Sequence, residues 1–300
     1  MQSIGVGLIA RNSEKTIVAC IQSFASEVDQ IAVVLAGKST DKTALAAKKA
    51  SHKVKLFDFH GEVHPTGGWI RNFAAARNLS FSKLDTDFLF WVDSDDEVYQ
   101  AENLRKLVEN AAPEIGAIWF PYHYAIDEFG NLITLYERER LLRAVYGWAW
   151  KGRIHETVSP LNPCKFVRTE DVIIKHNHLA GESRHDRNFD LLNIMQKEDP
   201  GDKRVWLYLG HQNFAARYWM DAAQWYLKFG SDTGAIPVER YQSLCYGSKS
   251  LREMGDKQAI DVALMAIELF PNYRDAYLEL AYSYVMVNDL DKALHWITIA

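Results

Sequence analysis

The feature that most restricts the fold of this chain is a self-similarity at fixed spacing in its last hundred residues. Small and aromatic residues recur 34 residues apart, as Ser243, Gly247, Ala259 and Ala266 are followed by Tyr277, Ala281, Ala293 and Ala300. An earlier copy with a longer connection holds Trp206, Leu209, Gly210, Ala222 and Phe229. Small residues at fixed positions let paired helices approach closely, so a period of about 34 residues predicts stacked helix pairs. We therefore predict an all-α repeat domain over residues 201–300.

The third copy of this repeat stops early. Ala300 falls near position ~27 of a ~34-residue unit, so we expect the closing turn and a capping helix to be missing from this sequence. Either the natural chain continues or another surface covers Trp296, Ile297 and Ile299. The second alternative includes a homo-oligomer formed through the uncapped end of the repeats.

The first 200 residues have a different pattern, in which short apolar runs alternate with segments of helical spacing. The runs that we predict as strands are Ile4–Ile9, Gln30–Leu35, Val54–Phe59 and Phe88–Val92. Such alternation predicts an α/β domain with a mostly parallel, Rossmann-like sheet, whose binding groups lie at the carboxyl ends of the strands. A charged helix near residues 183–197 and a turn-rich stretch after it place the predicted domain boundary near residue 200.

Composition excludes some classes of protein. The net charge of -5 and the pI near 6.1 argue against binding nucleic acid through a general basic field. Cys20, Cys164 and Cys245 are odd in number and widely spaced, which favours reduced thiols in a cytoplasmic protein. We see neither a secretion signal nor an apolar run of the ~20 residues needed to cross a bilayer, so we predict no membrane span.

The chemistry of the first domain is concentrated where the fourth predicted strand ends. Asp93 and Asp95 follow the apolar run, and since side chains alternate along a strand, both carboxylates are expected to face one crevice. Mg²⁺ and Mn²⁺ are commonly shared between one or two carboxylates and substrate phosphates. The pair therefore predicts a metal site for a nucleotide diphosphate, with a solvated acidic turn as the alternative.

Further segments place this acidic motif in a family context. They are Leu8-Ile9-Ala10-Arg11-Asn12, Ser39-Thr40-Asp41, Ala76-Arg77-Asn78, Asp93-Ser94-Asp95-Asp96, Arg140-Leu141-Leu142-Arg143 and Gly152-Arg153-Ile154-His155-Glu156. In this order they resemble the landmarks of a branch of family 2 glycosyltransferases, over about residues 4–190. The resemblance implies a GT-A fold, and some members of this family also carry tetratricopeptide (TPR) repeats.

The family resemblance also implies an activity: metal-dependent, inverting transfer of a sugar from a nucleotide sugar, with a UDP-sugar expected as donor and Mn²⁺ or Mg²⁺ as cofactor. It suggests Glu156 as the base that deprotonates the acceptor, with Asp96 as the alternative. The implied metal ligands are Asp93, Asp95 and either His178 or His176. The implied donor-binding residues are Ala10, Arg11, Asn12, Ser39, Asp58, Arg77, Asp93 and Ser94.

Two of these residues also have a purely structural interpretation, and one difference from the family pattern weakens the assignment of the donor. Glu156 could be a surface carboxylate paired with Arg153, and Arg77 could pair with a carboxylate to stiffen its helix. Relatives carry a base-binding aspartate after the second strand, where this chain has Leu35 or Ala36, so Asp58 is the expected substitute.

The sequence leaves the acceptor open among a peptide or protein, a glycan and a modified DNA base. Aromatic side chains that could stack on an acceptor are Trp119, Tyr122, Tyr124, Tyr136, Tyr146, Trp148 and Trp150. We expect the repeats to recruit the acceptor in part. The competing hypothesis is a non-catalytic scaffold, in which a degenerate GT-A domain accompanies repeats that grip a peptide or protein.

Overall fold

The computed structural model of the chain describes residues 1–177 and 185–300, which form two compact units, Met1–Glu182 and Ser183–Ala300. None of the helices among these described residues is long and apolar enough to span a membrane. His178, one of the two predicted histidine ligands, lies outside the described residues.

The first unit is built on a nine-stranded sheet. Eight of the strands follow the order β3-β2-β1-β4-β7-β6-β11-β5, and the ninth strand, β10, pairs with β6. Its strands are β1 (Ile4–Ala10), β2 (Gln30–Leu35), β3 (Val54–Asp58), β4 (Phe88–Asp93), β5 (Asp96–Tyr99), β6 (Ile115–Ile126), β7 (Leu132–Arg143), β10 (Lys165–Arg168) and β11 (Ile173–His176), while β8 (Trp148–Lys151) and β9 (Thr157–Pro160) form a separate hairpin. The helices of this unit are α1 (Ile17–Gln22), α2 (Thr43–Ala50), α3 (Phe73–Ser82) and α4 (Asn103–Asn110).

The first four strands of the sheet, β3, β2, β1 and β4, run parallel to one another. Every residue of β1 is buried, because helices cover both faces of a parallel sheet and leave no polar side to alternate with the apolar one. The four predicted strands are confirmed to within a residue at their ends. All four carboxyl ends meet at one edge, which is where the predicted motifs lie.

Two of the apolar clusters that pack on the sheet are anchored by β4. The larger one packs Phe24 of the segment after α1 edge-on against Phe90, which in turn contacts Phe120 of β6. The smaller core lies around Trp91 and Trp150. Since residues 90 and 91 alternate on β4, consecutive side chains of one strand anchor the two cores.

The loops after β1 and β2 are locked together by side-chain hydrogen bonds. Asn12 accepts from the backbone N–H of Thr40 at 2.8 Å, and the Ser13 N–H donates to Thr43 Oγ1 at 2.7 Å. Asn12 has a positive φ of 51°, a conformation that asparagine tolerates better than most residues. The Asn12 side chain thus binds the loop after β2 and the Ser13 hydroxyl contacts Ser94 at 2.8 Å, so neither caps α1, and Thr16 precedes the helix without a side-chain cap.

The second unit is all α. It consists of α5 (His185–Glu198), α6 (Lys203–Ala215), α7 (Trp219–Gly230), α8 (Pro237–Glu253), α9 (Gln258–Leu269), α10 (Arg274–Met286) and α11 (Leu290–Ile299). The last six helices form three successive pairs, as the repeat predicts, so the TPR-like fold class is confirmed.

The small residues of the repeat lie where helices meet. Ala222, Ala259 and Ala266 are fully buried, and a Cβ on Gly210 would come within 2.8 Å of the Tyr226 ring. The compact units divide between Glu182 and Ser183, whereas we placed the boundary near residue 200. The difference is α5, which contacts α6 and so falls with the helical unit.

Candidate active site

The acidic motif lies at the carboxyl end of β4, in the turn that leads into β5. β4 ends at Asp93, Ser94 and Asp95 form the turn, and β5 begins at Asp96. The rule that side chains alternate along a strand therefore does not reach Asp95, and the turn sets the direction of its side chain. The carboxylate of Asp93 contacts Arg77, whereas that of Asp95 lies 3.7 Å from His176 Nδ1.

Asp95, Asp96 and His176 form a cluster whose potential ligand atoms all lie within 4.8 Å of one another. The antiparallel pairing of β5 with β11 brings them together, because it sets His176 directly opposite Asp96. Two carboxylates and an imidazole suit a divalent cation. Asp95 retains 22 % side-chain exposure, so an ion held here remains reachable from solvent and by a substrate phosphate.

Asp96 is completely buried and each of its oxygens is engaged. Oδ1 accepts from the Tyr122 hydroxyl at 2.9 Å and lies 3.1 Å from His176 Nδ1. Oδ2 accepts from the Asp93 N–H at 3.0 Å and lies 3.2 Å from Arg140 Nη2. A carboxylate so enclosed cannot reach an acceptor, so Asp96 is withdrawn as the alternative base. Asp95 Oδ1 lies 3.7 Å from the same His176 nitrogen, so Nδ1 is the imidazole atom that faces both carboxylates.

Arg140 is a part of this site that the sequence did not single out beyond its place in a family segment. Its side chain is fully buried, with the guanidinium 3.8 Å from the centroid of Trp91 and 4.4 Å from that of Tyr122. Because it is buried it cannot contact a substrate, and it instead balances the charge of Asp96.

Arg77 connects the acidic turn to the Gly152–Glu156 segment. From the middle of α3, its Nη2 donates to Asp93 Oδ1 and its Nε to Glu156 Oε1, both at 2.6 Å. The guanidinium lies against two rings that contact each other, 5.0 Å from the centroid of Trp91 and 4.8 Å from that of Trp150. Arg77 thus makes the contact that the alternative describes, a pair with a carboxylate, and it makes this contact with two carboxylates at once.

The charges of this site shift its titrating groups. Burial alone would lower the pKa of Arg77, but Asp93 and Glu156 raise it above the ordinary value. Burial likewise opposes ionisation of Asp93, but Arg77 and Arg140 hold its pKa well below the usual range. For His176, burial opposes the charged form, but the hydrogen bond to Asp96 and the nearby carboxylates raise the pKa. The site therefore favours an ionised Asp93 and attracts positive charge.

Backbone geometry fixes Glu156 in its place. Gly152 and His155 have positive φ angles of 95° and 51°, so the chain turns sharply on both sides of Ile154. Asn78, next to Arg77 on α3, holds β8 by accepting from the Trp150 N–H and donating to the Trp150 carbonyl oxygen. Arg153, the partner that we considered for Glu156, instead binds Glu62 at 2.8 Å.

The predicted donor-binding residues of the first two loops lie beside this site. Ala10 ends β1 in a buried position, and Ser39 Oγ accepts from the Asn12 N–H at 3.2 Å. Ser94 is joined to this loop by its 2.8 Å hydrogen bond with Ser13. Arg11 points away toward the segment before α3, where it donates to the Gly67 carbonyl oxygen at 2.8 Å.

The position that binds the base in relatives has no polar side chain here. Ala36 is buried and Gly37 has a φ of 92°, with the carbonyl oxygen of Gly68 directly against it. Asp58, the expected substitute, ends β3 with an exposed side chain.

Comparison with known proteins gives a family match for this unit. Residues 6–159, about half of the chain, match the family model described as Glycosyl transferase family 2. No curated protein matches.

Solved structures also resemble the chain. S. aureus TarS, residues 1–349, is 14 % identical with a TM-score of 0.43, covering 99 % of this chain and 90 % of that one. MamA of MSR-1 is 21 % identical with a TM-score of 0.36, covering 39 % of this chain and 66 % of that one. A further MamA crystal structure is 26 % identical with a TM-score of 0.35, covering 38 % and 66 %. The chain thus spans just under two thirds of the MamA chains.

Proposed function

Since this chain belongs to glycosyl transferase family 2, we propose that it is a metal-dependent, inverting glycosyltransferase that uses a nucleotide-diphosphate sugar. The observation that carries the proposal is the Asp95–Asp96–His176 cluster, which stands at the end of β4 next to the Asp93–Arg77–Glu156 chain of ion pairs. The Asp95–Asp96–His176 cluster suits a diphosphate and its cation. The Asp93–Arg77–Glu156 chain of ion pairs brings a carboxylate to the same crevice.

The residues that would hold Mn²⁺ or Mg²⁺ are Asp95 and His176. Bound there, the cation would neutralise the charge of the leaving diphosphate. Asp96 Oδ1 lies 3.1 Å from Nδ1 of this imidazole, the nitrogen that also faces Asp95, and Arg140 compensates the buried charge of Asp96. Asp93, which we predicted as a ligand, is bound to Arg77, so we assign it instead to the hydroxyl groups of the donor.

Glu156 is the proposed base. The acceptor hydroxyl oxygen attacks the anomeric carbon, its proton passes to the Glu156 carboxylate, and the bond from that carbon to the diphosphate breaks. Arg77 binds Oε1 of this carboxylate and so fixes its position. The other oxygen, Oε2, is the one that would take the proton.

The finer identity of the substrates rests on the family resemblance. We propose a UDP-hexose as donor, with Asp58 in place of the missing base aspartate and with Ala10, Asn12, Ser39 and Ser94 lining the donor site. We propose that the helical unit recruits the acceptor and that the exposed apolar residues of α11, among them Leu294 and Ile297, support homo-oligomer formation. The three cysteines are free thiols, which supports a cytoplasmic location.

A binding scaffold is the second candidate. It is favoured by the absence of a polar side chain at Ala36 and Gly37 and by the ion pairs that occupy both Asp93 and Glu156. A scaffold would need neither the metal cluster nor Glu156 for partner binding, so the two candidates differ in their response to mutation.

The test measures Mn²⁺ binding by electron paramagnetic resonance and the hydrolysis of a panel of UDP-hexoses. We expect Asp95→Asn to weaken Mn²⁺ binding at least about tenfold and to abolish hydrolysis, and Glu156→Gln to keep Mn²⁺ binding while losing hydrolysis, in which water takes the place of the acceptor. Glu128→Gln changes an exposed carboxylate of the β6–β7 turn and is the matched control. If the parent protein neither binds a nucleotide in a metal-dependent manner nor turns over any donor, the scaffold is the correct assignment.

A further inference from the structure

Seven aromatic residues between β6 and β8 are available by sequence to contact an acceptor, and the structure assigns five of them to the fold. Trp150 is buried in the smaller core, and Tyr122 is buried against Asp96. Trp148 donates to the Arg143 carbonyl oxygen, and Tyr146 to that of Pro113. Trp119 packs on Phe166. Tyr124 and Tyr136 are the two that are exposed.

These two tyrosines lie together beside the proposed metal ligand. The ring of Tyr124 stacks on the imidazole of His176, with centroids 5.2 Å apart and planes 6° from parallel. Tyr136 contacts Tyr124 at 5.5 Å between centroids. Tyr124 is 37 % exposed and Tyr136 is 50 % exposed, so the pair offers an accessible aromatic surface that continues directly from the candidate metal site.

Arg138 places a guanidinium group on the same strand as Tyr136. It stands two residues after Tyr136 on β7 and lies 5.2 Å from the centroid of Trp91, the ring that Arg77 also contacts. Its only close carboxylate among the described residues is Glu139, at 3.6 Å, and a third of its side chain is exposed. A ring stacked on Tyr136 would therefore lie beside Tyr124, which stacks on His176, with Arg138 two residues along the strand.

Resting on the proposed function, we infer that Tyr124, Tyr136 and Arg138 form the acceptor subsite and that the acceptor is a glycan whose pyranose ring stacks on Tyr136. The C–H face of a pyranose packs on an aromatic ring, and its hydroxyl groups accept hydrogen bonds from Arg138. The neighbouring Glu137 and Glu139, and the net charge of -5, disfavour a polyanionic nucleic acid. A peptide would need no ring-sized aromatic surface.

The experiment measures the binding of methyl glycopyranosides to the full chain, with UDP and Mn²⁺ present, by saturation-transfer NMR. UDP-hexose hydrolysis is followed in parallel, because water replaces the acceptor in that reaction. We expect Tyr136→Ala to weaken glycoside binding about tenfold and Tyr136→Phe to weaken it less than about twofold. Phe129→Ala removes an 81 % exposed ring from the tip of the same hairpin and should change neither quantity.

Two results would overturn the subsite. One is a parent protein that binds UDP with Mn²⁺ but no methyl glycoside; the other is a Tyr136→Ala variant that binds glycosides as the parent does. Transfer of saturation to a nucleoside or a short peptide, but to no glycoside, would overturn the glycan assignment. Loss of metal-dependent UDP binding in the parent would instead contradict the proposed function, so the two failures are distinguishable.

Discussion

Replacing Arg77 by methionine tests whether one buried cation holds the two halves of the site together. Methionine keeps most of the apolar volume between Trp91 and Trp150 but removes the charge. The side chain of Glu156 is only 10 % exposed, and that of Asp93 29 %. Both carboxylates would then lack the partner that each now contacts at 2.6 Å.

The expected cost follows from this burial. Removing one member of a buried ion pair typically destabilises by about 3–5 kcal/mol, because a charge is left without compensation. Water reaches part of Asp93, which places the loss toward the lower end of that range. Protonating a carboxylate of ordinary pKa at pH 7 costs about 4 kcal/mol, which sets a similar upper bound for each group.

The measurement is the opening free energy of β1 and β4 amides by native-state hydrogen exchange, which reports on the first unit separately from the helices. Arg105→Met is the matched control, because the 2.9 Å pair of Arg105 with Asp29 is 22 % and 41 % exposed and should cost about 1 kcal/mol or less. Adding Glu156→Gln to Arg77→Met should recover part of the loss. If Arg77→Met costs no more than Arg105→Met, or Glu156→Gln recovers nothing, the proposed coupling is wrong.

Three further predictions concern glycines and a buried histidine. Gly37→Ala combines a φ of 92° with a Cβ placed against a backbone carbonyl, so it should lower the free energy of unfolding by more than about 2 kcal/mol and weaken UDP binding. Gly130→Ala, at a φ of 89° in open space, should lower the free energy of unfolding by about 1 kcal/mol. Chemical denaturation measures the stability of both variants, and titration measures their UDP binding. Gly210→Ala should lower the melting temperature, because its Cβ meets a ring at 2.8 Å, whereas Gly247→Ala, with its nearest neighbour at 3.5 Å, should be neutral or stabilising. Burial lowers the pKa of His211, so the neutral form stabilises the fold above the unfolded pKa of about 6.5, and that stability is lost as pH falls toward the folded pKa. Hydrogen exchange in α6 should show this loss of stability, and His211→Asn should remove its pH dependence.

The sequence alone determined the architecture and the location of the site. Strands and helices follow from hydrophobic periodicity, which is local, and the run Phe88–Val92 needed only its own composition to be identified as a buried strand. The 34-residue spacing of small residues likewise predicted the helix pairs of α6 to α11, because close helix contacts demand small side chains at fixed positions. Family landmarks then placed the chemistry at the carboxyl end of β4.

Only the tertiary structure decided which side chains meet. Asp93 and Asp95 are two positions apart in the sequence, yet a turn between them sends one to Arg77 and the other toward His176. The contact between Arg77 and Glu156 joins residues 79 positions apart, and the burial of Asp96 depends on its pairing with β11. Such contacts are set by strand order and by the packing of distant segments, whereas a pattern of neighbouring residues carries information only about its own helix or strand.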